Sequence, residues 1–106
     1  MNTNTKKIMK ELKSGLLGLY RQRLKGLLLF GSYARGEEAV DSDLDVGLIL
    51  DEFVDIGKEI ENTGEVVSKL SLQNNMVISL HPFREKDLAN KKTPFILNIK
   101  KEGVRF

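Results

Sequence analysis

Two short stretches of this chain carry residues able to do chemistry together: Gly31-Ser32 with Arg35 and Gly36, and Asp43 with Asp45. Residues 27–30, Leu-Leu-Leu-Phe, run straight into Gly31. A strand that stops at a Gly-Ser turn offers backbone N–H groups and a hydroxyl at its carboxyl end, where phosphate oxygens bind. Arg35 adds a guanidinium able to hold phosphate bidentately, and Gly36 lets the backbone approach closely. Asp43 and Asp45 flank Leu44, and strand alternation puts both carboxylates on one face with their Cα atoms about 7 Å apart. Such a pair suits Mg²⁺, which takes oxygen ligands and shares them with substrate phosphates. Turn and pair together predict one site for a nucleoside triphosphate and its magnesium.

Each half alone says little. A Gly-Ser turn is usually plain chain reversal, and an isolated Asp-X-Asp is usually a solvated strand entry. Asp41 reads as a turn-capping carboxylate outside the metal site. His81, the single histidine, reads first as a structural residue at a strand end and second as a candidate base. The cations of Phe83-Arg84 and Lys91-Lys92 read as a solvated helix face.

The elements that must position these groups follow from periodicity. Residues 1–5 are polar and are expected to fray, after which Ile8, Leu12, Leu16, Leu19 and Tyr20 mark an amphipathic helix. Gly15 and Gly18 weaken that helix, and a close approach to the sheet would account for them. The run at 27–30 fits a central strand covered on both faces. A turn and short helix fill the segment from Gly31 to Ser42, and Leu44, Val46, Leu48 and Leu50 predict a second strand over 44–50. Asp55 caps a helix carrying Ile56, Ile60, Val66, Val67, Leu70 and Leu72, interrupted by Gly64 and ending near Asn74-Asn75. A third strand is expected over 76–80 and closed by Pro82, then a short exposed helix within 84–92. Pro94 opens a last segment that Gly103 ends. The fold class is therefore α/β (α+β), a small mixed sheet flanked by helices.

With 106 residues, one core and one domain spanning 1–106 are expected. Seventeen basic against fifteen acidic residues leave a net charge of +2, too small an excess to give a nucleic-acid footprint. The chain has no cysteine, so any catalytic metal uses oxygen or imidazole ligands, as suits a reducing cytoplasm. The apolar runs are too short to cross a bilayer, and a cytoplasmic location is expected.

The run GSYARGEEAVDSDLD, with Gly31-Ser32 and then Asp43-Leu44-Asp45, resembles the signature of the DNA polymerase β-like nucleotidyltransferase superfamily, and in particular its minimal members. The ending PFILNIKKEGVRF is similar to the closing segment of many of them. The resemblance implies the polymerase β-like nucleotidyltransferase fold and transfer of a nucleoside monophosphate, AMP from ATP in the first instance, to a hydroxyl. Asp43 and Asp45 would be the catalytic ligands of two magnesium ions. Gly31 and Ser32 would hold the terminal phosphates, with Arg35 and Gly36 beside them.

Fully equipped members carry a third carboxylate on a later strand. Here that strand reads MVISLH, and Ser79 is the candidate for the vacated position. Minimal members encoded beside HEPN-domain toxins adenylylate that partner. An antitoxin enzyme acting on a HEPN-type protein is therefore the first functional expectation. A catalytically weak module acting by contact is the second. In either case a chain this small needs a partner protein, or another subunit of a homo-oligomer, to present the acceptor.

Overall fold

The computed structural model describes residues 2–106. Helix α1 (Thr3–Tyr20) opens with the Asn2 side chain accepting the Thr5 N–H at 2.7 Å. This cap satisfies a donor that the first turn cannot pair for itself. The expected fraying of residues 1–5 is thus corrected: the helix is formed from Thr3, and Thr5 is buried. Met1 lies outside the described residues. The inner face of α1 runs through Thr5, Ile8, Met9, Leu12, Leu16 and Tyr20, whereas Leu19 is exposed. Gly15 faces helix rather than sheet. A Cβ there would come within 2.8 Å of Val66 on α3 (Ile56–Asn74), so the glycine sets the spacing of two helices.

The sheet has four strands in the order β3-β2-β1-β4. Strand β1 (Leu24–Phe30) pairs antiparallel with β2 (Leu44–Leu50), and β2 pairs parallel with β3 (Ile78–Arg84). A parallel pair needs a crossover, and α3 supplies it. Two cores flank the sheet. Leu27, Leu29, Leu44, Val46, Leu48 and Leu50 pack against α1 and α3, while Leu28, Phe30 and Ile49 pack under α4 (Glu85–Asn90) and α5 (Pro94–Glu102). The unbroken apolar run of β1 has this double burial as its cause. No helix among the described residues is long and apolar enough to cross a membrane.

Three expectations about elements are revised. Pro82 does not close β3 but lies within it, opposite Leu48. The Leu44 N–H donates to the Val77 carbonyl, so pairing groups alternate and the imide nitrogen of Pro82 points away from β2. An edge strand tolerates proline there and is thereby protected from further pairing. Helix α3 is continuous through Gly64, and its buried face is Glu59, Thr63 and Leu70, with Ile56, Ile60 and Leu72 exposed. Finally, the chain adds a two-residue strand after α5, β4 (Val104–Arg105), antiparallel to β1. Mutual hydrogen bonds between Leu27 and Phe106 extend that pairing.

Burial of a polar face on α3 follows from one hydrogen bond. The Tyr20 hydroxyl donates to Glu59 Oε1 at 2.8 Å between α1 and α3, with both residues buried. Burial first, and Glu59 second, raise the Tyr20 hydroxyl above the ordinary tyrosine range. Tyr20→Phe leaves the Glu59 carboxylate buried without its donor and lowers unfolding stability by about 1–3 kcal/mol in urea titrations. Because the folded-state value lies above the unfolded one, the Tyr20 contribution is intact below about pH 10 and is lost as pH rises beyond it. The wild-type melting temperature therefore falls more steeply above that pH than that of Tyr20→Phe.

Candidate functional site

Phe30 is the last residue of β1, and the chain must turn at once to start α2 (Ser32–Arg35). Gly31 makes the turn with φ 76° and ψ −158°, a backbone region that is essentially closed to residues with a Cβ. Space closes it a second time: a Cβ on Gly31 would sit 2.7 Å from Asp45 Oδ2. Asp45 lies opposite Phe30 in the β1–β2 register. The turn and the carboxylate, separate in sequence, are therefore in contact.

The Gly31 carbonyl accepts from the N–H groups of both Ala34 and Arg35. In so short a helix the preceding N–H groups, of Ser32 and Tyr33, have no carbonyl within the helix to receive them. They and the Ser32 hydroxyl line the turn as available donors. Gly36 ends the helix in the left-handed conformation, φ 70° and ψ 23°. The loop that follows is tied by the Ser42 hydroxyl, which accepts the Ala39 N–H at 2.8 Å. Ser42, rather than Asp41, thus caps this turn.

Asp45 projects from β2 on the face away from Leu44 and Val46, the side covered by α4 and α5. Its neighbour across the parallel pair is Ser79. His81, two residues on along β3, brings Nε2 to 3.4 Å from Asp45 Oδ1 and sets its ring, tilted by 55°, 5.2 Å from that of Phe30. Asp43 stands one residue before β2, exposed, and takes part in no hydrogen bond or ion pair among the described residues. Among the described residues no three His, Cys, Asp or Glu side chains gather as a self-sufficient metal cluster.

Arg35 is engaged by protein carboxylates. Its guanidinium donates to both oxygens of Glu102, at 3.3 and 3.1 Å, and to Glu37 at 3.2 Å. Glu102 foremost, and Glu37 after it, push the Arg35 group further toward its charged form. Glu102 also accepts the Gly31 N–H, at 3.2 Å. The last residue of α5 thereby fixes the glycine turn and its arginine at once. Sequence reasoning missed Glu102 as a member of this constellation. Glu102 is 71 residues from Gly31, and only the return of the chain along β4 brings it there.

The nucleotidyltransferase domain family matches residues 5–105 of this chain. A Methanocaldococcus jannaschii protein named as a candidate protein adenylyltransferase is 33% identical over 102 residues, which cover 94% of this chain and 95% of the relative. Among solved structures, a MntA–HpeT toxin–antitoxin structure has TM-score 0.63 at 21% identity, covering 99% of this chain and 72% of that one. A Shewanella oneidensis structure of a tri-AMPylated HEPN toxin with its MNT antitoxin has TM-score 0.51 at 18% identity, covering 92% and 70%. At such identities the two structures show a shared fold.

Two outcomes test this geometry. Gly31→Ala forces a Cβ into both the forbidden backbone region and the Asp45 carboxylate, and loses about 1–3 kcal/mol of stability by chemical denaturation. Glu102→Ala frees the Gly31 N–H, whose exchange with solvent, followed by NMR, speeds up by about tenfold or more while core amides are unchanged.

Proposed function

From the premise that this chain belongs to the nucleotidyltransferase domain family, we propose that it transfers AMP from ATP to a hydroxyl of a HEPN-type partner protein, acting as an antitoxin. One observation carries the reading: the Gly31 turn and the Asp45 carboxylate are in contact, so a donor for phosphate and a ligand for its counter-ion form a single site. The name of the M. jannaschii relative and the adenylylated toxin of the S. oneidensis complex support protein as the acceptor class.

The donor set fits Mg²⁺ shared with a nucleotide. Asp45 is partly exposed, Asp43 is exposed and unpaired, and a site holding only one or two carboxylates suits a cation whose other ligands are substrate phosphates and water. Asp43 and Asp45 would hold the metal, which when bound neutralises charge on the phosphates in the in-line displacement. The remaining work falls to the chain itself. The Ser32 hydroxyl and the N–H groups of Ser32 and Tyr33 orient the terminal phosphates, and the glycine turn lets them come close. Gly36 ends α2 so that the loop carrying Asp43 can return to the same place. Arg35, held by Glu102 and Glu37, braces the turn from behind. In the transfer the acceptor oxygen bonds to the α-phosphorus, the bond to pyrophosphate breaks, and the hydroxyl proton must leave.

That proton marks the weakness of the site. Ser79, the neighbour of Asp45 across the β2–β3 pair, is the residue we take to stand in for the family's third carboxylate, and a serine hydroxyl is a poor base. This favours a second reading, in which nucleotide is bound and the partner is neutralised by contact alone.

With the partner protein, Mg²⁺ and ATP, intact mass spectrometry is expected to show AMP added to the partner, and Asp43→Asn/Asp45→Asn to abolish it. Nucleotide bound with nothing transferred would give the contact reading the field. Ser79→Asp, which restores an acid next to Asp45, is expected to raise the transfer rate by about 10²-fold.

A further inference from the structure

The cations of this chain are not distributed evenly over its pairing opportunities. Arg23, Arg35, Arg84, Lys86 and Lys91 all pair with carboxylates. Lys6, Lys10 and Lys13, spaced four and three residues apart on one side of α1, take part in none of these pairs. They rim a groove between α1 and β4, while the Arg105 guanidinium is held by the Lys25 carbonyl. The single acidic residue of α1, Glu11, lines a different hollow, toward α3. Leu17, Val104 and Phe106 supply an apolar floor, with Leu17 44% and Val104 37% exposed. The groove has a volume of about 660 Å³.

Like charges at this spacing repel one another on a helix, and apolar side chains left in water gain nothing. Both costs fall on the same patch, and one kind of partner relieves both. We propose that this groove docks an amphipathic acidic helix of a partner protein, its apolar side chains on Leu17, Val104 and Phe106 and its carboxylates against Lys6, Lys10 and Lys13. From Lys6 to Leu17 the groove runs along about 16 Å of α1, which matches about three turns of a partner helix. A nucleic acid would meet the lysines but would leave the aliphatic floor without a partner. The groove belongs to the α1 side of the sheet, whereas Asp45 faces the α4–α5 side, so a docked helix leaves the turn at Gly31 open. The inference stands independently of the nucleotide reading.

The test uses the whole chain and synthetic probes about 14 residues long. One is a stapled helix with leucines on one face flanked by glutamates; its controls are a permuted peptide of identical composition and a single-stranded RNA. In NMR titrations the acidic amphipathic helix is expected to shift the Leu17, Val104 and Phe106 amides. Leu17→Asp and Lys6→Glu/Lys10→Glu, all at exposed positions, are expected to weaken it at least about tenfold, and a lysine-flanked helix to regain affinity for the charge-reversed variant. Circular dichroism confirms that the variants fold. Equal binding of the permuted peptide, tighter binding of the RNA, or indifference to both variants overturns the proposal. So does sedimentation showing that the chain dimerises through this face, since the occupant would then be a second copy.

Discussion

The contact between the Gly31 backbone and the Asp45 carboxylate is the constraint around which the rest of the molecule is arranged. To make it, β1 must end where β2 begins, and the antiparallel register does this by setting Phe30 opposite Asp45. Only a residue without a Cβ can occupy the turn, because both its dihedral angles and the Asp45 oxygen exclude one. The two-sided burial of β1 and β2 then holds the contact rigid: residues 27–30 and 46–50 are all buried. A site whose parts must be placed to within a fraction of an ångström is well served by strands that cannot shift.

The carboxyl-terminal segment gives the turn a second support. Helix α5 covers the sheet face from which Asp45 projects, burying Ile96 and Ile99, and its last residue reaches the Gly31 N–H and the Arg35 guanidinium. Strand β4 then returns along β1 and anchors the end of the chain through Leu27 and Phe106. Arg35 in this arrangement is a structural cation with two carboxylates around it, and the exposed pairs it makes contribute more to orientation than to stability. Unlike Arg35, the Ser32 hydroxyl and the first N–H groups of α2 are not engaged by these carboxylates.

The opposite face of the sheet is organised by a polar contact. Tyr20 and Glu59 join α1 to α3, and the glycine at position 15 lets the helices approach until Val66 fills the gap. A buried hydrogen bond and a missing side chain fix where α3 lies, and therefore where β3 begins. On β3, Ser79 and His81 are the residues that reach the neighbourhood of Asp45.

The sequence by itself determined the elements whose signal is local. Alternation gave the limits of β2, the apolar run gave the carboxyl end of β1 but not its start at Leu24, and the proline and glycine around α5 gave its ends. Gly31, Ser32, Asp43 and Asp45 were singled out together because their types and spacing resemble a known family's signature, and of these the structure sets Gly31 against Asp45. Where a side chain's fate depends on a distant partner, periodicity was misleading. Glu59 and Thr63 are buried while Ile56 and Ile60 are exposed, because Tyr20 supplies the hydrogen bond that makes a buried carboxylate tolerable. Asn2 begins a helix where polar composition suggested fraying, since a cap depends on one bond rather than on the average of five residues. Pro82 sits inside a strand because that strand is an edge, a fact of sheet order that no local pattern contains. Glu102 was invisible for the same reason: a carboxylate becomes part of a site through what the tertiary structure sets beside it, and the chain must fold back across the whole sheet to bring it to Gly31.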